Sequence, residues 1–438
     1  MLFHHEEHED HEGKKIIKHS FFASFVLFVV IILLIETSSW PYRLKFMTAF
    51  AQNTNFKIIF ALTLVHFIGD FYNSFITPLL PLFIDKYSLT LAQAGMIAGL
   101  SRFLAFIVQP PVGYLADRHP TRFFALGGPL LVMVFIPLAG IAPAFWILLV
   151  CVSLGSIGSS MFHPTVAGMV SRYAGRNLGF SMSIFVMGGT LSFGVGPIFI
   201  AWFVKNFGLN ATPLTTVIGL TVMVFLFKTV PLPVVEGLKE YGLVGSIREV
   251  FGNVWKPVVL VWLVMVLRAF VAQSYLTFMP ILFAKEGYTL ISIGSLVSLF
   301  TVAGAISGMI AGYLADRIGY KSVFLAAHAL TMPCMLLLLY LRGSWVFPAA
   351  FLTGFFIMAT LPLGVALVQK LAPRGKSMAS SLMTGLAFGV GGLLTPLTGL
   401  MADFFSIRSV LGVLAVVPLI TILLIFFLPG NNHDWHEK

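Results

Sequence analysis

Gly113-Tyr114-Leu115-Ala116-Asp117-Arg118 returns unchanged as Gly312-Tyr313-Leu314-Ala315-Asp316-Arg317, 199 residues later. Each copy ends a long apolar stretch and opens a short basic loop. The offset runs beyond the phrase: Pro81 answers to Pro280, Pro197 to Pro396, and Gly175-Arg176 to Arg374-Gly375. A membrane chain built from two similar halves is the sequence mark of a secondary transporter, with its substrate site between the halves. The phrase also has a local logic. Asp117 and Asp316 stand where one helix ends and the next begins, so each carboxylate can accept from free N–H groups at the positive end of the following helix. Arg118 and Arg317 can reach phosphates or a facing acid, while Gly113 and Gly312 allow close packing. These six residues are the expected gating loops.

Composition fixes the solvent. Hydrophobic residues make up 58% of the chain and charged ones 10%, against about 25% charged in a soluble domain. A fold in water could not hide that much apolar surface, so the surroundings are lipid. The net charge of +10 does not indicate nucleic acid, because Lys and Arg sit one to three at a time between apolar spans, as the cytoplasmic bias of positive charge requires. Cys151 and Cys334 both lie inside apolar spans and read as small core residues, with no metal-type Cys spacing.

Apolar runs of about 20 residues or more predict an all-α membrane protein of twelve transmembrane helices in two pseudo-symmetric six-helix bundles. The predicted limits are 58–84, 89–115, 122–141, 145–171, 178–204 and 212–230, then 256–283, 290–314, 322–341, 345–371, 376–403 and 408–428. The polar stretch 231–255, with Glu236, Lys239, Glu240, Arg248 and Glu249, reads as a cytoplasmic linker between bundles 58–230 and 256–428; 429–438 is a tail. With residue 57 inside, the short inner loops hold Arg118, Arg122, Arg172, Arg176, Arg317, Lys321, Lys370, Arg374 and Lys376. The outer loops hold Lys86, Lys205, Lys285, Arg342 and Arg408. Nine against five puts both ends of the core in the cytoplasm of a plasma (inner) membrane protein. Small residues at four-residue spacing, Gly95/Gly99, Gly304/Gly308/Gly312 and Gly385/Gly389, mark helix faces that pack closely.

Residues 1–57 stand outside the repeat. His4, His5, His8 and His11 lie among Glu6, Glu7, Glu9, Asp10 and Glu12, and an apolar run follows at 21–35. The tail reads as a solvated extension or as a metal-binding tract. The run is short for a span and reads as a thirteenth short span or a helix on the inner surface, the flanking basic residues favouring the surface.

The two loop phrases resemble the loop motif of the major facilitator superfamily, in the loops after helices 2 and 8. The second copy, Asp316-Arg317-Ile318-Gly319-Tyr320-Lys321, keeps the usual Gly; the first has Pro120 there. Within the superfamily the chain resembles the fosmidomycin resistance protein family. The likeness lies in Val65-His66-Phe67-Ile68-Gly69-Asp70, Gln109-Pro110-Pro111-Val112-Gly113-Tyr114, Gly158-Ser159-Ser160-Met161-Phe162-His163-Pro164 and Ser183-Ile184-Phe185-Val186-Met187-Gly188-Gly189. The resemblance covers about residues 58–428 and implies a proton-driven exporter of small organic molecules or drugs. Gly196-Pro197 is similar to the core of the antiporter motif of drug exporters, although Ile200 and Ala201 stand where a Gly pair is expected.

Ionisable groups deep in a span are functional candidates by default, because uncompensated charge there is costly. Asp70 is the acid nearest the middle of any span, and His66 lies one turn earlier on the same face. Arg102 sits midway along helix 2 and is the expected cation for Asp70 if helices 1 and 2 pack as neighbours. This gives a proton-coupling set of Asp70, His66 and Arg102. His163, Arg268, Tyr72, Asn73, Gln273 and Tyr275 are the expected cavity residues, although His163 beside Pro164 also reads as a core His bonded to a freed carbonyl. The expected partners are protons, a small-molecule substrate and the bilayer, with a monomer as the working unit and no cofactor, metal set or nucleic acid. A metabolite symporter or uniporter, an intramembrane enzyme, and a receptor on a transporter scaffold are the rival readings. The enzyme lacks a Ser/His/Asp set or a His-x-x-x-His pair inside a span.

Overall fold

The computed structural model describes residues 54–116, 122–174, 178–232, 251–252, 254–372 and 381–428. Twelve helices in it are long and apolar enough to cross a membrane. They are α1 (Phe56–Tyr87), α2 (Leu91–Ala116), α3 (Phe123–Ile141), α4 (Phe145–Tyr173), α5 (Leu178–Phe207), α6 (Leu209–Thr229), α7 (Trp255–Lys285), α8 (Leu290–Ile318), α9 (Tyr320–Tyr340), α10 (Val346–Leu371), α11 (Ala387–Phe404) and α12 (Ile407–Phe426). Helix is the form these runs take because hydrocarbon offers backbone groups no other hydrogen-bond partner. The predicted spans stand within a few residues of these limits. The start of the predicted eleventh span, residues 233–250 of the linker, the tail 429–438, and the extension before residue 54 lie outside the described residues.

The repeat in the sequence is a repeat in packing. α1 lies on α5, α2 on α4 and α3 on α4; in the second half α7 lies on α11, α8 on α10 and α9 on α10. Gly128 and Gly158 bring α3 and α4 together, since a Cβ on Gly158 would stand 2.5 Å from the Gly128 carbonyl oxygen. The halves meet mainly through two cross-pairs, α2 with α11 and α5 with α8, with smaller contacts of α7 on α1 and α2.

Those seams are tight at the end of the molecule away from the linker. A Cβ on Gly95 would stand 2.8 Å from Pro396, and one on Gly399 would stand 2.2 Å from the Leu91 carbonyl. Across the other seam a Cβ on Gly294 would meet the Pro197 carbonyl at 2.7 Å, and Thr301 Oγ1 donates to Phe193 O at 3.0 Å. Toward the linker end the seams loosen. A Cβ on Gly385 of the turn leading into α11, or on Gly312 of α8, would meet nothing within 4 Å, and Val186 and Met187 on α5 are more than half exposed. The two halves therefore pack tightly at the far end and, at these positions, more loosely at the linker end.

A clasp across the halves closes the far end. Thr90 and Gln93 cap α2 reciprocally, with Gln93 Oε1 accepting from the Thr90 amide and Thr90 Oγ1 from the Gln93 amide. The next free amides at this helix start, Leu91 and Ala92, donate to Asp403 Oδ1 and Oδ2 of α11 at 2.8 and 3.0 Å.

Candidate functional site

A buried ionisable cluster of the first half is built on three helices. Asp70 and His66 share a face of α1. Asp70 Oδ2 stands 3.1 Å from His66 Nε2, and His163 on α4 brings its Nε2 to 3.3 Å from Asp70 Oδ1. That second approach lies off the hydrogen-bond axis, leaving Oδ1 without a hydrogen-bond partner among the described residues. The Asp70 side chain is 5% exposed and that of His163 30%, so His163 is the most open member.

Each ring is held from behind. His66 Nδ1 donates to Phe185 O on α5 at 2.9 Å, and His163 Nδ1 donates to Ser159 O, one turn back, at 2.6 Å. A carbonyl can only accept, so both Nδ1 atoms carry hydrogen and both Nε2 atoms face the carboxylate. Without further protons, two nitrogen lone pairs and a carboxylate converge and repel. A proton on either Nε2 turns repulsion into attraction, so the cluster's charge and cohesion change together when protons enter or leave. Its ligand atoms lie within 4.8 Å of one another, a spacing one cation can bridge. The two His come from different helices, a convergence that spacing along one helix cannot reveal.

Small residues make room for the cluster. A Cβ on Gly189 would fall 2.4 Å from His66 Nε2, one on Gly188 2.6 Å from Thr63, and one on Gly69 2.4 Å from the Phe162 ring. His66 stacks on Phe185 and His163 on Phe162, each with centroids 4.2 Å apart. Gly196 lets α5 touch α1 at Ser74 and at the Phe71 carbonyl. Three sequence stretches, around 65–70, 158–164 and 183–189, thus meet at one point.

A model of the Major Facilitator Superfamily matches residues 62–395 and 285–437. The chain belongs to this superfamily. The fosmidomycin resistance protein of Escherichia coli K12 is 28% identical over 389 residues, covering 87% of this chain and 94% of that protein. The uncharacterized MFS-type transporter YfnC of Bacillus subtilis 168 is 25% identical over 406 residues, covering 88% and 96%. In fold the chain is similar to a bacterial homolog of the human lysosomal transporter Spinster in an inward-facing, occupied conformation. The TM-score is 0.74 at 16% identity, with 86% of this chain and 97% of that one covered.

The other expected site residues of this facilitator are distributed differently from the sequence reading. Arg102 makes no direct ion pair with Asp70 among the described residues, though it lies within electrostatic reach of it. α2 packs on α4 and α11, and Arg102 Nε donates to Gln273 Oε1 of α7 at 3.1 Å, which joins the two halves. Arg268 turns away from the seam into the second bundle, where it donates to Ile357 O at 3.3 Å. Tyr72 donates to Thr215 O and accepts from the Gly219 amide; Tyr275 donates to Leu411 O at 2.8 Å. Both tyrosines are fully buried and tie the first helix of a half to its last rather than lining a cavity. Asn73 is half-buried. In the gating loops, Gly312 faces open space and the Arg317 guanidinium lies 4.4 Å over the Tyr313 ring. Asp117, Arg118, the surroundings of Gly113 and the side chain of Asp316 lie outside the described residues. Asp403 is the functional candidate that the sequence reading missed.

Proposed function

We propose that this facilitator exports small organic molecules or drugs in exchange for protons moving inward, with Asp70, His66 and His163 as the coupling group. One observation carries the reading: a buried carboxylate in the middle of a span faces two ring nitrogens whose far sides are already committed to backbone carbonyls. The resistance in the name of the Escherichia coli relative supports the outward direction. In this reading the linker end faces the cytoplasm of a plasma-membrane monomer, following the nine-to-five bias of Lys and Arg. Loading the cluster with protons and releasing them on opposite sides is linked to rocking of the halves about the site. Arg102 and Gln273 couple the first half to α7 during that motion, and Asp117 and Asp316 lock the linker end when it closes.

The test is flux in proteoliposomes under an imposed pH gradient, with a panel of small organic anions and drugs. An exporter accumulates substrate toward the more acidic side, in exchange for protons leaving that side. Accumulation in the same direction as proton flow makes it a symporter, and flux indifferent to the gradient makes it a uniporter; either result overturns the reading.

A further inference from the structure

A second buried ionic group lies inside the other half. Arg268 of α7 is 3% exposed. Its Nη1 is spent on Ile357 O and Met358 Sδ, and its guanidinium carbon lies 5.0 Å over the Phe388 ring. Nε and Nη2 have no protein partner, and no carboxylate pairs with the charge among the described residues. Those two nitrogens form one edge of the guanidinium, the edge that presents two parallel N–H groups to an anion. Arg268, His328 and Thr360 are among the residues lining a small cavity between α7, α9, α10 and α12.

Two other wall groups are also unspent. Thr360 Oγ1 and His328 Nε2, both buried, have no partner. The contrast is with Thr331 and Thr421 on the same wall, whose hydroxyls donate to carbonyls of their own helices. His328 donates its Nδ1 hydrogen to Phe324 O, so its Nε2 becomes a donor when the ring is protonated. A water molecule would satisfy hydrogen bonds here but would leave the positive charge uncompensated, and an isolated buried charge is the costlier of the two defects.

We propose that Arg268, with Thr360, holds a small anion inside the second half, on the Nε–Nη2 edge of the guanidinium. The ligand class is a monovalent inorganic anion such as chloride, or the acid group of a small organic molecule. This site is separate from the Asp70 cluster, and its test needs no transport. Thermal unfolding of the purified full chain is followed while sodium chloride, nitrate, acetate or methylphosphonate replaces sodium gluconate at constant ionic strength. Saturating anion raises the midpoint by on the order of a few degrees, and Arg268→Met abolishes the response. Thr360→Val removes one donor and moves the half-saturating concentration upward several-fold, which keeps the test open if Arg268→Met fails to fold. A response to chloride or nitrate assigns an inorganic counter-ion, and a response to acetate or methylphosphonate alone assigns an organic acid group. A wild-type midpoint indifferent to all four anions overturns the proposal, as does an undiminished response in Arg268→Met.

Discussion

Replacing Asp403 by Ala removes both hydrogen bonds with which α11 holds the start of α2 across the far seam. Hydrogen bonds to a charged group contribute about 1.5–3 kcal/mol each when shielded. Asp403 is exposed, so solvent screening reduces the pair to roughly 1 kcal/mol in total. The glycine-to-proline contacts beneath it remain. A loss of about 1 kcal/mol shifts the balance between shut and open far ends about fivefold. Thr395, fully buried on α11 where Gly95 packs, is a suitable reporter once replaced by Cys. The two native cysteines are buried and can be changed to Ser. The labelling rate of Thr395→Cys with a membrane-impermeant thiol reagent should rise about fivefold in Asp403→Ala, and by less in Asp403→Asn, which keeps one acceptor. A rate unchanged by Asp403→Ala would show that the clasp does not hold this end shut.

Other outcomes follow from the same contacts. Gly189→Ala places a methyl 2.4 Å from His66 Nε2, so either His66 moves or the core strains by about 1–3 kcal/mol. Purified Gly189→Ala should melt earlier and lose gradient-driven transport, whereas wild-type melting and transport would deny that Gly189 shapes the site. Arg102→Ala and Gln273→Ala remove the same inter-half bond, so the double variant should label at Thr395→Cys no faster than the faster single one; additive rates would mean the two residues act separately. Deleting residues 1–50 should leave insertion and transport intact, because the repeat begins after residue 57 and the second half has no counterpart to this segment; normal insertion without flux would assign the extension a transport role.

The two-half architecture was legible because lipid imposes long apolar runs and because the loop phrase survives in both halves. The His66/Asp70 pair was legible too, since residues four apart share a helix face. The arrival of His163 was not, because it depends on how α4 packs against α1, and that is set by glycines such as Gly69 whose neighbours lie far away in sequence. The same limit hid the direction of Arg268: mid-span position is readable, but which side of α7 faces the seam is a packing result. Arg102 shows the same limit: its hydrogen bond to Gln273 of α7 crosses between the halves, and order along the chain does not suggest that partner. Asp403 escaped notice because an acid at the end of an apolar run looks like ordinary loop polarity, and its partners are backbone amides with no sequence signature of their own.

The central claim is that Asp70 carries the coupling proton, and Asp70→Asn tests it most directly, since Asn keeps the shape but cannot ionise. The measurement is made on one proteoliposome preparation, comparing substrate accumulation under a pH gradient with exchange of labelled for unlabelled substrate at equal pH. Loss of accumulation with exchange retained is the predicted result. Undiminished uphill accumulation by Asp70→Asn, with the wild-type dependence on pH, would contradict the account.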